Sequence, residues 1–418
     1  MKARWVATGA LLGAAALASF YVSAAAVSVQ VPGTRIKIEP ASLAKPNDTP
    51  SKANGSRNIP RPGNTVPQVP PGFTVSIFAE GLASPRNLLV APNGDVLVAE
   101  QGAGRITVLR DMDGDYKAEV VSTFSSGFRI PFGLDFAKGA LYVADSAGVW
   151  RIPYTPGDTK ATGKEVMVTP EGAFGVGGGH STRSLAFSQD DNKFYVAIGS
   201  ISNVNEEPLP RATIQEFTLN ADGTTAGNQR TFATGLRNPV GTTFYPGTND
   251  LYAVVNERDT MGDELVPDYL TRVADGGFYG WPYSYIGKNP QPGFADKRPD
   301  LVAKAIVPDV LFRSHSAPIG LTFYDGDMFP EEYRGGAFVG LRGSWNAAQP
   351  RGYYVAYVPF KDKKPAGEYQ VFASGFWTGE GATAEVWGRP SGVAVAKDGS
   401  LLIADEISKI VWRVSYKK

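Results

Sequence analysis

One pattern recurs six times along the chain: a turn containing proline or arginine, an apolar strand, a turn rich in Gly, Asp or Asn, and a second strand. The first strands begin at Pro85, Pro131, Thr182, Pro239, Pro318 and Pro390, and the second strands follow at 95–99, 140–144, 193–197, 250–254, 336–340 and 400–404. Repeats of several strands at a spacing of roughly 45 to 80 residues are typical of propeller blades. The pattern predicts an all-β fold, a six-bladed β-propeller of four-stranded blades. A five- or seven-bladed ring and a pair of β-sandwiches are the alternatives.

The two ends of the repeat region predict how such a ring closes. The last repeat stops after its third strand, at about 409–414, whereas an apolar strand from Phe73 to Phe78 precedes all the repeats. This early strand can serve as the missing outer strand of the last blade, and such pairing removes exposed sheet edges. We therefore assign residues 72–418 to one propeller domain.

Composition supports a turn-rich β protein and excludes several functions. The 418 residues include 48 Gly and 31 Pro, and 11% are aromatic; glycine and proline interrupt short strands, and aromatic side chains suit half-buried sheets. With 41 basic and 41 acidic residues the formal net charge is zero, which argues against nucleic acid or an anionic membrane as a partner. The absence of cysteine excludes disulfides, a thiolate nucleophile and a cysteine-ligated metal.

The first 71 residues differ from the repeats. A basic start, Met1 to Arg4, precedes an apolar run from Trp5 to about Val29, so residues 1–30 are predicted to be a secretory signal peptide, with an uncleaved N-terminal anchor as the alternative. Both predict a periplasmic or secreted protein that contacts the membrane only through this segment. Residues 31–71 are rich in Pro, Asn, Ser and Lys, which predicts an extended arm.

The turns that enter the first strands are where a propeller places its ligand, at one mouth of the central channel. These turns contain Arg129, His180, Arg237, Asn238, His315 and Arg389. Guanidinium groups bind carboxylates in a bidentate manner, so this set predicts a small polyanionic ligand. Among cations, His180 should stay neutral and act as a base rather than an acid. The run 177–179 of three glycines should allow the tight turn that presents it.

Acidic residues suggest a metal in two loops. The segment 256–269 carries five of them, Glu257, Asp259, Asp263, Glu264 and Asp268, which fits a Ca²⁺ loop because Ca²⁺ prefers carboxylate and carbonyl oxygens. A charged surface loop is the alternative. A second acidic turn, 111–115, has Ser122 at the last ligand position of an EF-hand loop, so a plain hairpin turn is favoured there.

Several motifs together resemble a known family. They are His180-Ser181-Thr182-Arg183-Ser184-Leu185, Leu236-Arg237-Asn238-Pro239, 276–282 (GGFYGWP) and the Arg389 segment. They resemble the soluble pyrroloquinoline quinone (PQQ)-dependent glucose/aldose sugar dehydrogenases over residues 72–416, and the loop 258–269 looks closer to the sorbosone dehydrogenase branch. The resemblance implies a PQQ- and Ca²⁺-dependent oxidoreductase that oxidises an aldose or related hydroxy-aldehyde. It also implies an external electron acceptor, such as a quinone, a cytochrome or a dye.

Carried over residue by residue, the resemblance assigns roles at the mouth. His180 matches the general base, and Arg237 and Asn238 match the pair that contacts the quinone oxygens, with Arg237 stabilising the charge that develops on reduction. The Ca²⁺ ion would be held by main-chain carbonyls at about Arg258 and Asp259. The resemblance further implies that Arg342 and Arg389 contact carboxylates of PQQ.

Three departures from the family pattern keep other functions open. Ser391 stands where the family has a second late arginine, Phe128 and Arg129 replace a glutamine, and 313–315 (RSH) replaces a Trp-x-Thr element. We expect Arg129, Arg313 and His315 to compensate as cofactor contacts. The alternatives are a non-catalytic binding propeller with a decayed cofactor site and a Ca²⁺-dependent lactonase-type hydrolase, which would need acids and amides around an axial metal.

Overall fold

The computed structural model describes residues 30–378, 381 and 383–417. Regular structure in these ranges is almost entirely β, and the helical pieces are a four-residue α-helix, Pro299–Val302, and the 3-10 turns Pro40–Ser42, Ala295–Lys297 and Glu331–Tyr333. The predicted signal peptide or anchor, 1–30, lies outside the described residues apart from residue 30. No helix within the described ranges is long and apolar enough to cross a membrane.

Six sheets in the described part of the chain share one plan of four antiparallel strands. Numbered in chain order of their first strands, they are sheet 1 (Pro85–Val90, Val96–Glu100, Arg105–Arg110, Val120–Ser126), sheet 2 (Gly133–Ala137, Ala140–Ala144, Val149–Pro153, Val166–Met167), sheet 3 (Arg183–Phe187, Lys193–Ile198, Thr213–Leu219, Ala226–Thr234), sheet 4 (Asn238–Phe244, Leu251–Asn256, Tyr269–Arg272, Val310–Leu311), sheet 5 (Pro318–Phe323, Ala337–Leu341, Tyr354–Val358, Tyr369–Ala373) and sheet 6 (Pro390–Val395, Leu401–Asp405, Ile410–Tyr416, Phe73–Ala79). The all-β prediction is confirmed, and each predicted first and second strand lies within one of these sheets.

Short strands extend two of the sheets and form small ribbons. Gly277–Phe278 adds to sheet 3 in parallel, and Arg35–Ile36 adds to sheet 5 antiparallel. The ribbons are Arg57–Asn58 with Glu385–Val386 and Trp377–Thr378, Ser284–Tyr285 with Asn289–Pro290, and Phe360–Lys361 with Lys364–Pro365.

The early strand Phe73–Ala79 pairs with the last strand of the chain, as the sequence predicts. It runs antiparallel to Ile410–Tyr416, with Phe73 opposite Tyr416. The buried Phe73 ring also makes edge contacts with Phe329 and Phe372, with ring centroids 4.8 and 5.1 Å away. Sheet 6 therefore joins the two ends of the repeat region and packs against residues of sheet 5.

The first strands of the sheets are neighbours in chain order, and the first strand of sheet 6 also lies against that of sheet 1. In each sheet the second strand runs back along the first, so that Asn238 is opposite Asn256 and Pro390 is opposite Asp405. The start of a first strand and the end of a second strand therefore lie at the same edge. Loops from both places reach the same end of the molecule.

The apolar core lies between adjacent sheets. Alternate residues of a strand point to opposite faces, so each face packs against a neighbouring sheet. Between sheets 1 and 2, for example, Leu97 and Ile106 pack with Leu141 and Val143, and all four side chains are fully buried. At roughly 25 cal/mol per Å² of buried apolar surface, such interfaces are the main source of stability.

The predicted arm, 31–71, lies along sheet 5 and the strands that follow it. Arg35–Ile36 pairs with Tyr369–Ala373, Arg57–Asn58 pairs in parallel with Glu385–Val386, and Gln68 forms a bridge with Ser374. Apart from two short strands and one 3-10 turn, residues 31–66 contain no helix or strand. The arm is thus fixed to the body by main-chain pairing rather than by a core of its own.

Candidate functional site

A cavity of about 390 Å³ lies at the end of the molecule where the first strands begin. Its wall includes six of the predicted site residues, which are His180, Arg237, Asn238, Asp259, His315 and Arg342. They come from the strand ends and loops of sheets 3, 4 and 5, and Arg86 from sheet 1 also lines the cavity. The structure thus brings together residues that are far apart in sequence. The widest separation is the 256 positions between Arg86 and Arg342.

The glycine run before His180 turns as predicted. Gly178 and Gly179 have φ values of 102° and 59°, a region that disfavours side chains. A Cβ atom on Gly179 would lie 2.3 Å from the Cα atom of Ile201, so only glycine allows this approach. The turn ends with the main-chain N–H of His180 donating to the carbonyl of Ser200 at 3.0 Å.

The imidazole of His180 is oriented for proton acceptance. Its Nδ1 lies 2.8 Å from the Ser200 carbonyl oxygen and 3.1 Å from the Ser200 hydroxyl. A carbonyl only accepts, so Nδ1 carries the hydrogen and Nε2 keeps its lone pair. Burial, followed by the positive charges of Arg237 and Arg211, lowers the pKa of His180 to about 4. This direction agrees with the expectation of a neutral histidine, although burial contributes more than the neighbouring cations.

Arg237 is held rigidly beside this histidine. Its Nε donates to the carbonyl of Asn203 at 3.0 Å, its Nη1 donates to the carbonyl of Glu257 at 2.7 Å, and its Nη2 donates to the Asn203 side chain at 3.1 Å. The Asp259 carboxylate lies 3.6 Å from Nη2. Because its orientation is fixed in advance, the guanidinium can stabilise developing negative charge without reorganising.

Asn238 presents a polar atom that the protein leaves unpaired. The residue is buried, and among the described residues its Oδ1 atom has no hydrogen-bond partner. Buried polar atoms without partners are uncommon because they cost free energy. Since Asn238 lines the cavity, this atom marks where a polar group of a bound molecule would dock.

A cluster of charge lies at and behind the part of the wall that Arg86 and Arg342 form. Arg342 Nε lies 2.6 Å from Glu406 Oε1, Arg86 pairs with the other carboxylate oxygen, and Arg389 Nη1 lies 3.9 Å away. Burial alone would raise the pKa of Glu406, but the charges of Arg86 and Arg342 outweigh it and hold the pKa below its ordinary value. One carboxylate thus faces three guanidinium groups, and this wall keeps a net positive charge.

The mouth as a whole is of mixed charge rather than purely cationic. Burial raises the pKa of Glu257 to about 7 and that of Asp268 to about 6, and both residues line the cavity. Asp268 accepts the main-chain N–H groups of Glu257 and Ala317, each at 2.8 Å, and so ties sheet 4 to sheet 5. The sequence-based expectation of a mouth dominated by arginines therefore needs correction, since Glu257, Asp259 and Asp268 line the cavity together with Arg86, Arg237 and Arg342.

His315 faces the same cavity from the turn before sheet 5. Its Nδ1 lies 3.1 Å from the Asn346 amide nitrogen and 3.5 Å from Asp259 Oδ1. Its Nε2 lies 3.4 Å from the carbonyl oxygen of Gly262. The structure thus places His315 where a bound molecule could contact it, as predicted.

The cavity contains the polar groups that PQQ would need. Arg86 and Arg342 offer partners for its carboxylates, and Asn238 offers an unpaired amide beside Arg237. These residues fit the cofactor.

One of the two predicted Ca²⁺ ligands, the carbonyl of Asp259, is already occupied by protein donors. The carbonyl oxygen of Asp259 accepts from Arg258 Nε and Nη2 at 2.9 and 2.7 Å and from the Asn203 amide at 3.0 Å. A guanidinium at this distance repels a cation, and Ca²⁺ requires six to eight oxygen ligands. Arg351 also binds both Asp263 and Glu264. The acids of the predicted loop, including Asp259 and Asp268, are thus engaged in protein contacts.

The second acidic turn is a hairpin, as the sequence favours. It joins Arg105–Arg110 to Val120–Ser126, and Asp111 accepts the N–H groups of Gly114 and Tyr116 at 2.7 and 2.9 Å. Ligand oxygens of Asp111, Asp113, Asp115 and Glu119 lie within 4.8 Å of one another. These contacts shape the turn, and none of the four acids lines the cavity.

Three predicted cofactor contacts lie outside the cavity wall. The Arg129 side chain is exposed, while its main-chain N–H donates to Asp145 at 2.9 Å. Arg313 lies near the outer strand of sheet 5, and its N–H contacts the Tyr369 hydroxyl at 3.3 Å. Arg389 contacts Ser56 of the arm and lies over the Tyr353 ring at 5.5 Å. The positions of Arg129 and Arg313 therefore do not support the expectation that they compensate as cofactor contacts.

Two departures from the family pattern have structural roles. The buried Ser391 hydroxyl lies 3.1 Å from the carbonyl oxygen of Pro85 and 3.2 Å from that of Ala404, so it joins sheets 6 and 1. Phe128 is buried in the core between sheets 1 and 2. Neither residue lines the cavity.

Sequence reasoning missed several residues of the wall, namely Arg86, Asn203, Trp345 and Asn346, and the buried Glu406 behind it. Asn203 and Glu406 follow the second strands of sheets 3 and 6, and Trp345 and Asn346 follow that of sheet 5. The propeller pattern by itself predicts ligand-facing residues at the entries to first strands, and Arg258, Asp259 and Arg342, which follow second strands, were assigned through the resemblance. Antiparallel pairing places the ends of second strands at the same edge, and that rule would have found them.

Known proteins share this fold. The holo PQQ domain of the Coprinopsis cinerea pyranose dehydrogenase aligns with TM-score 0.69 and 22% identity over 86% of this chain and 100% of that one. A calcium structure of the Trichoderma reesei carbohydrate-active enzyme of family AA12 aligns with TM-score 0.68 and 18% identity over 84% and 97%. The PQQ-bound aldose sugar dehydrogenase of Streptomyces coelicolor aligns with TM-score 0.57 and 17% identity over 84% and 100%. The chain therefore has the propeller-like fold of these dehydrogenases.

The family itself follows from the sequence match. Residues 67–268 and 294–417 match the family described as TrAA12-like, and the chain belongs to that family. The PQQ-dependent pyranose dehydrogenase of Coprinopsis cinerea is 28% identical over 350 residues, which cover 73% of this chain and 45% of that protein. The predicted relationship to PQQ-dependent sugar dehydrogenases is thus confirmed.

Proposed function

We propose that this protein is a PQQ-dependent sugar dehydrogenase that oxidises a CH–OH group of an aldose or related hydroxy-aldehyde, such as a sorbosone. The observation that carries the proposal is one cavity lined by His180, Arg237 and Asn238, in which Nε2 of a neutral histidine is free to accept a proton. The electron acceptor lies outside the chain. The apolar run before residue 30 supports export to the periplasm or beyond, with an N-terminal anchor as the alternative.

We also infer that the six sheets are the blades of a closed six-bladed propeller. Two observations support this inference: the first strands are neighbours all the way from sheet 1 to sheet 6 and back to sheet 1, and the strand Phe73–Ala79 completes sheet 6. A closed ring leaves only short sheet edges, and it surrounds the cavity with strand ends from several blades.

In the proposed reaction each residue has a separate task. PQQ, when bound, supplies a quinone that accepts hydride from the carbon of the substrate CH–OH group. His180 Nε2 accepts the hydroxyl proton, so that the carbon–oxygen bond becomes a carbonyl. Arg237 stabilises negative charge beside this step, and its contacts with Asn203 keep it in place. Arg342 and Arg86 would hold a carboxylate of the cofactor.

The other functions considered are less well supported. A lactonase-type hydrolase needs free acids around a metal, yet Asp263 is bound to Arg351 and Asp268 accepts two main-chain N–H groups. We derive no step through Ca²⁺, since Arg258 occupies the predicted carbonyl. A binding propeller without catalysis would keep the cavity but oxidise no sugar, and the experiment below separates this case.

The test combines cofactor binding with turnover. Purified protein is titrated with PQQ by calorimetry, with and without a chelator, and dye reduction is followed over a panel of aldoses and sorbosones. We expect PQQ to bind and at least one sugar to be oxidised; His180→Gln should keep PQQ binding and lower kcat about 10²- to 10⁴-fold. Asn238→Ala should weaken PQQ binding, whereas Met112→Ala, in an exposed turn, serves as the unchanged control. Failure to bind PQQ would refute the proposal, and binding without any turnover would favour the non-catalytic propeller.

A further inference from the structure

Trp345 is unusually exposed for a tryptophan at the edge of a cavity. Its exposed fraction is 56%, whereas every other tryptophan in the described ranges is buried or half-buried. It lies in the loop between Ala337–Leu341 and Tyr354–Val358 of sheet 5. A large apolar side chain left in solvent beside a cavity is typical of a ligand-binding surface.

Trp345 stands between two cavities. The larger one, about 390 Å³, contains His180, and a second one of about 250 Å³ lies beside it. The two share Asp259, His315, Trp345 and Asn346 as a common wall, whereas His180 lines only the larger. The two cavities are therefore adjacent, with Trp345 at their boundary.

The far wall of the second cavity is the arm. Residues 51–53 line it, and neighbouring arm residues are fastened on both sides. Asn54 donates its main-chain N–H to the carbonyl of Trp345 at 2.7 Å and its side-chain amide to that of Ala347 at 2.8 Å. The hydroxyl of Ser51 accepts the N–H of Gly262 at 3.0 Å. The indole and the arm are thus held in a fixed relation.

The loop at Gly262 packs closely against the arm. Its φ is 110°, and a Cβ atom there would lie 2.7 Å from the carbonyl oxygen of Thr49. The next residue, Asp263, donates its N–H to the hydroxyl of Thr49 at 2.8 Å. The loop therefore accommodates the arm by main-chain contact. The arm residues 49–54 lie before the region matched by the family, 67–268 and 294–417.

We propose that the second cavity binds a second sugar ring, and that the substrate is the reducing-end aldose of a disaccharide or longer saccharide. The inference rests on the proposed function. One face of a pyranose ring carries only C–H groups, which pack well on the electron-rich face of an indole. The ring hydroxyls would meet Asp259, Asn346 and Lys52, which are polar groups of the same cavity.

The chemistry stays at the first ring. The bound quinone would supply the hydride acceptor, His180 would take the hydroxyl proton of the anomeric CH–OH, and this ring would become a lactone while the bond between the two rings remains intact. The second ring contributes only binding. Trp345 is therefore a specificity-determining residue that raises kcat/KM for a disaccharide above that for a monosaccharide.

The test compares cellobiose and maltose with glucose. In the PQQ-loaded enzyme, Trp345→Ala should lower the ratio of kcat/KM for the preferred disaccharide to that for glucose at least tenfold, and Trp345→Phe should restore most of it. Ala53→Trp, which fills the second cavity from the arm, should lower the same ratio. Met112→Ala, another exposed apolar side chain, should leave the ratio unchanged.

Equilibrium binding separates this inference from the proposed function. Calorimetry with the protein free of PQQ should show that Trp345→Ala weakens disaccharide binding at least tenfold. If Trp345→Ala changes neither the kcat/KM ratio of disaccharide to glucose nor the disaccharide binding constant, the second subsite is refuted even if the enzyme oxidises glucose. Conversely, loss of PQQ binding together with Trp345-dependent disaccharide binding would overturn the dehydrogenase and leave the sugar subsite standing.

Discussion

The Nδ1 atom of His180 lies 2.8 Å from the carbonyl oxygen of Ser200, and this contact decides which ring nitrogen can act as a base. The carbonyl is itself fixed, because the N–H of Ser200 donates to the carbonyl of Arg237 at 2.7 Å. The base and the neighbouring guanidinium are therefore linked through one residue at the end of a second strand. Their relative positions depend on the main chain, which is the most rigid support that a site can have.

The protonation of His180 gives the first prediction. Its pKa in the folded protein is lowered to about 4 from 6.5, by burial and then by Arg237 and Arg211. Since only the neutral ring accepts a proton, kcat/KM should be level across neutral pH and fall tenfold per pH unit below about pH 4. The measurement is a kcat/KM–pH profile with a stability control at each pH. A midpoint near 6.5 would show that the base is a solvated group, and the His180→Gln variant should lack this limb.

A single methyl group near His180 provides the second prediction. In Gly179→Ala the new Cβ would lie 2.3 Å from the Cα of Ile201, at a φ of 59°. The strain should lower the free energy of unfolding by about 1–3 kcal/mol and should lower kcat about 10²-fold by displacing the histidine.

The matched control for that change is two residues earlier. A Cβ atom on Gly177 would have no heavy atom within 4 Å. Gly177→Ala should therefore change kcat and the unfolding free energy very little, by about 0.5 kcal/mol at most. Equal effects of the two substitutions would refute the view that the backbone at Gly179 positions the base.

Local sequence patterns were enough to predict the strands. The repeat predicted first strands at Pro85 and Pro390, and the structure has Pro85–Val90 and Pro390–Val395. Apolar runs and the turns between them are short-range features, so they can be read without knowledge of the fold. The turn at His180 could be predicted in the same way, because the glycines before it indicate a tight turn.

The direction of loop side chains could not be predicted in this way. Ile130, His315 and Ala317 have φ values of 58°, 68° and 56°, although none is glycine. Such residues reverse the chain without a sequence signal. They lie next to Arg129 and near Arg313, neither of which lines the cavity. The contact of Arg86 with Glu406 was also beyond reach, because it joins residues 320 positions apart across sheets 6 and 1.

The Glu406 cluster gives the third prediction. Its carboxylate, with 6% of the side chain exposed, faces Arg86, Arg342 and Arg389. Glu406→Gln would leave three guanidinium groups without this counter-charge, two of them, Arg86 and Arg389, largely buried, and this should lower the free energy of unfolding in urea by about 3–5 kcal/mol. Glu385→Gln removes an ion pair whose carboxylate side chain is 38% exposed, and it should cost less than about 1 kcal/mol.

The same cluster predicts how stability depends on pH. Because the pKa of Glu406 is lowered in the folded protein, its contribution is complete above its ordinary value of 4.5 and is lost as the pH falls below it. The difference in unfolding free energy between wild type and Glu406→Gln should therefore shrink below pH 4.5. A difference that stays constant down to pH 3 would show that the carboxylate is not the charge that stabilises this wall.

The pairing of the two chain ends gives the last prediction. Phe73 begins the strand that completes sheet 6, and its buried ring lies against Phe329, Tyr333 and Phe372. Phe73→Ala should leave a cavity in this cluster and lower the free energy of unfolding by about 3–5 kcal/mol. Val121→Ala, at a site that is 49% exposed, is the control and should lower the free energy of unfolding by less than about 1 kcal/mol.

If the strand closes the ring, the destabilisation by Phe73→Ala should appear as a shift of one cooperative urea transition. Tryptophan fluorescence at sheet 6 monitors this transition. Early, separate unfolding of sheet 6 in the wild type would contradict closure, because a closed ring distributes the stability of this pairing over all six sheets.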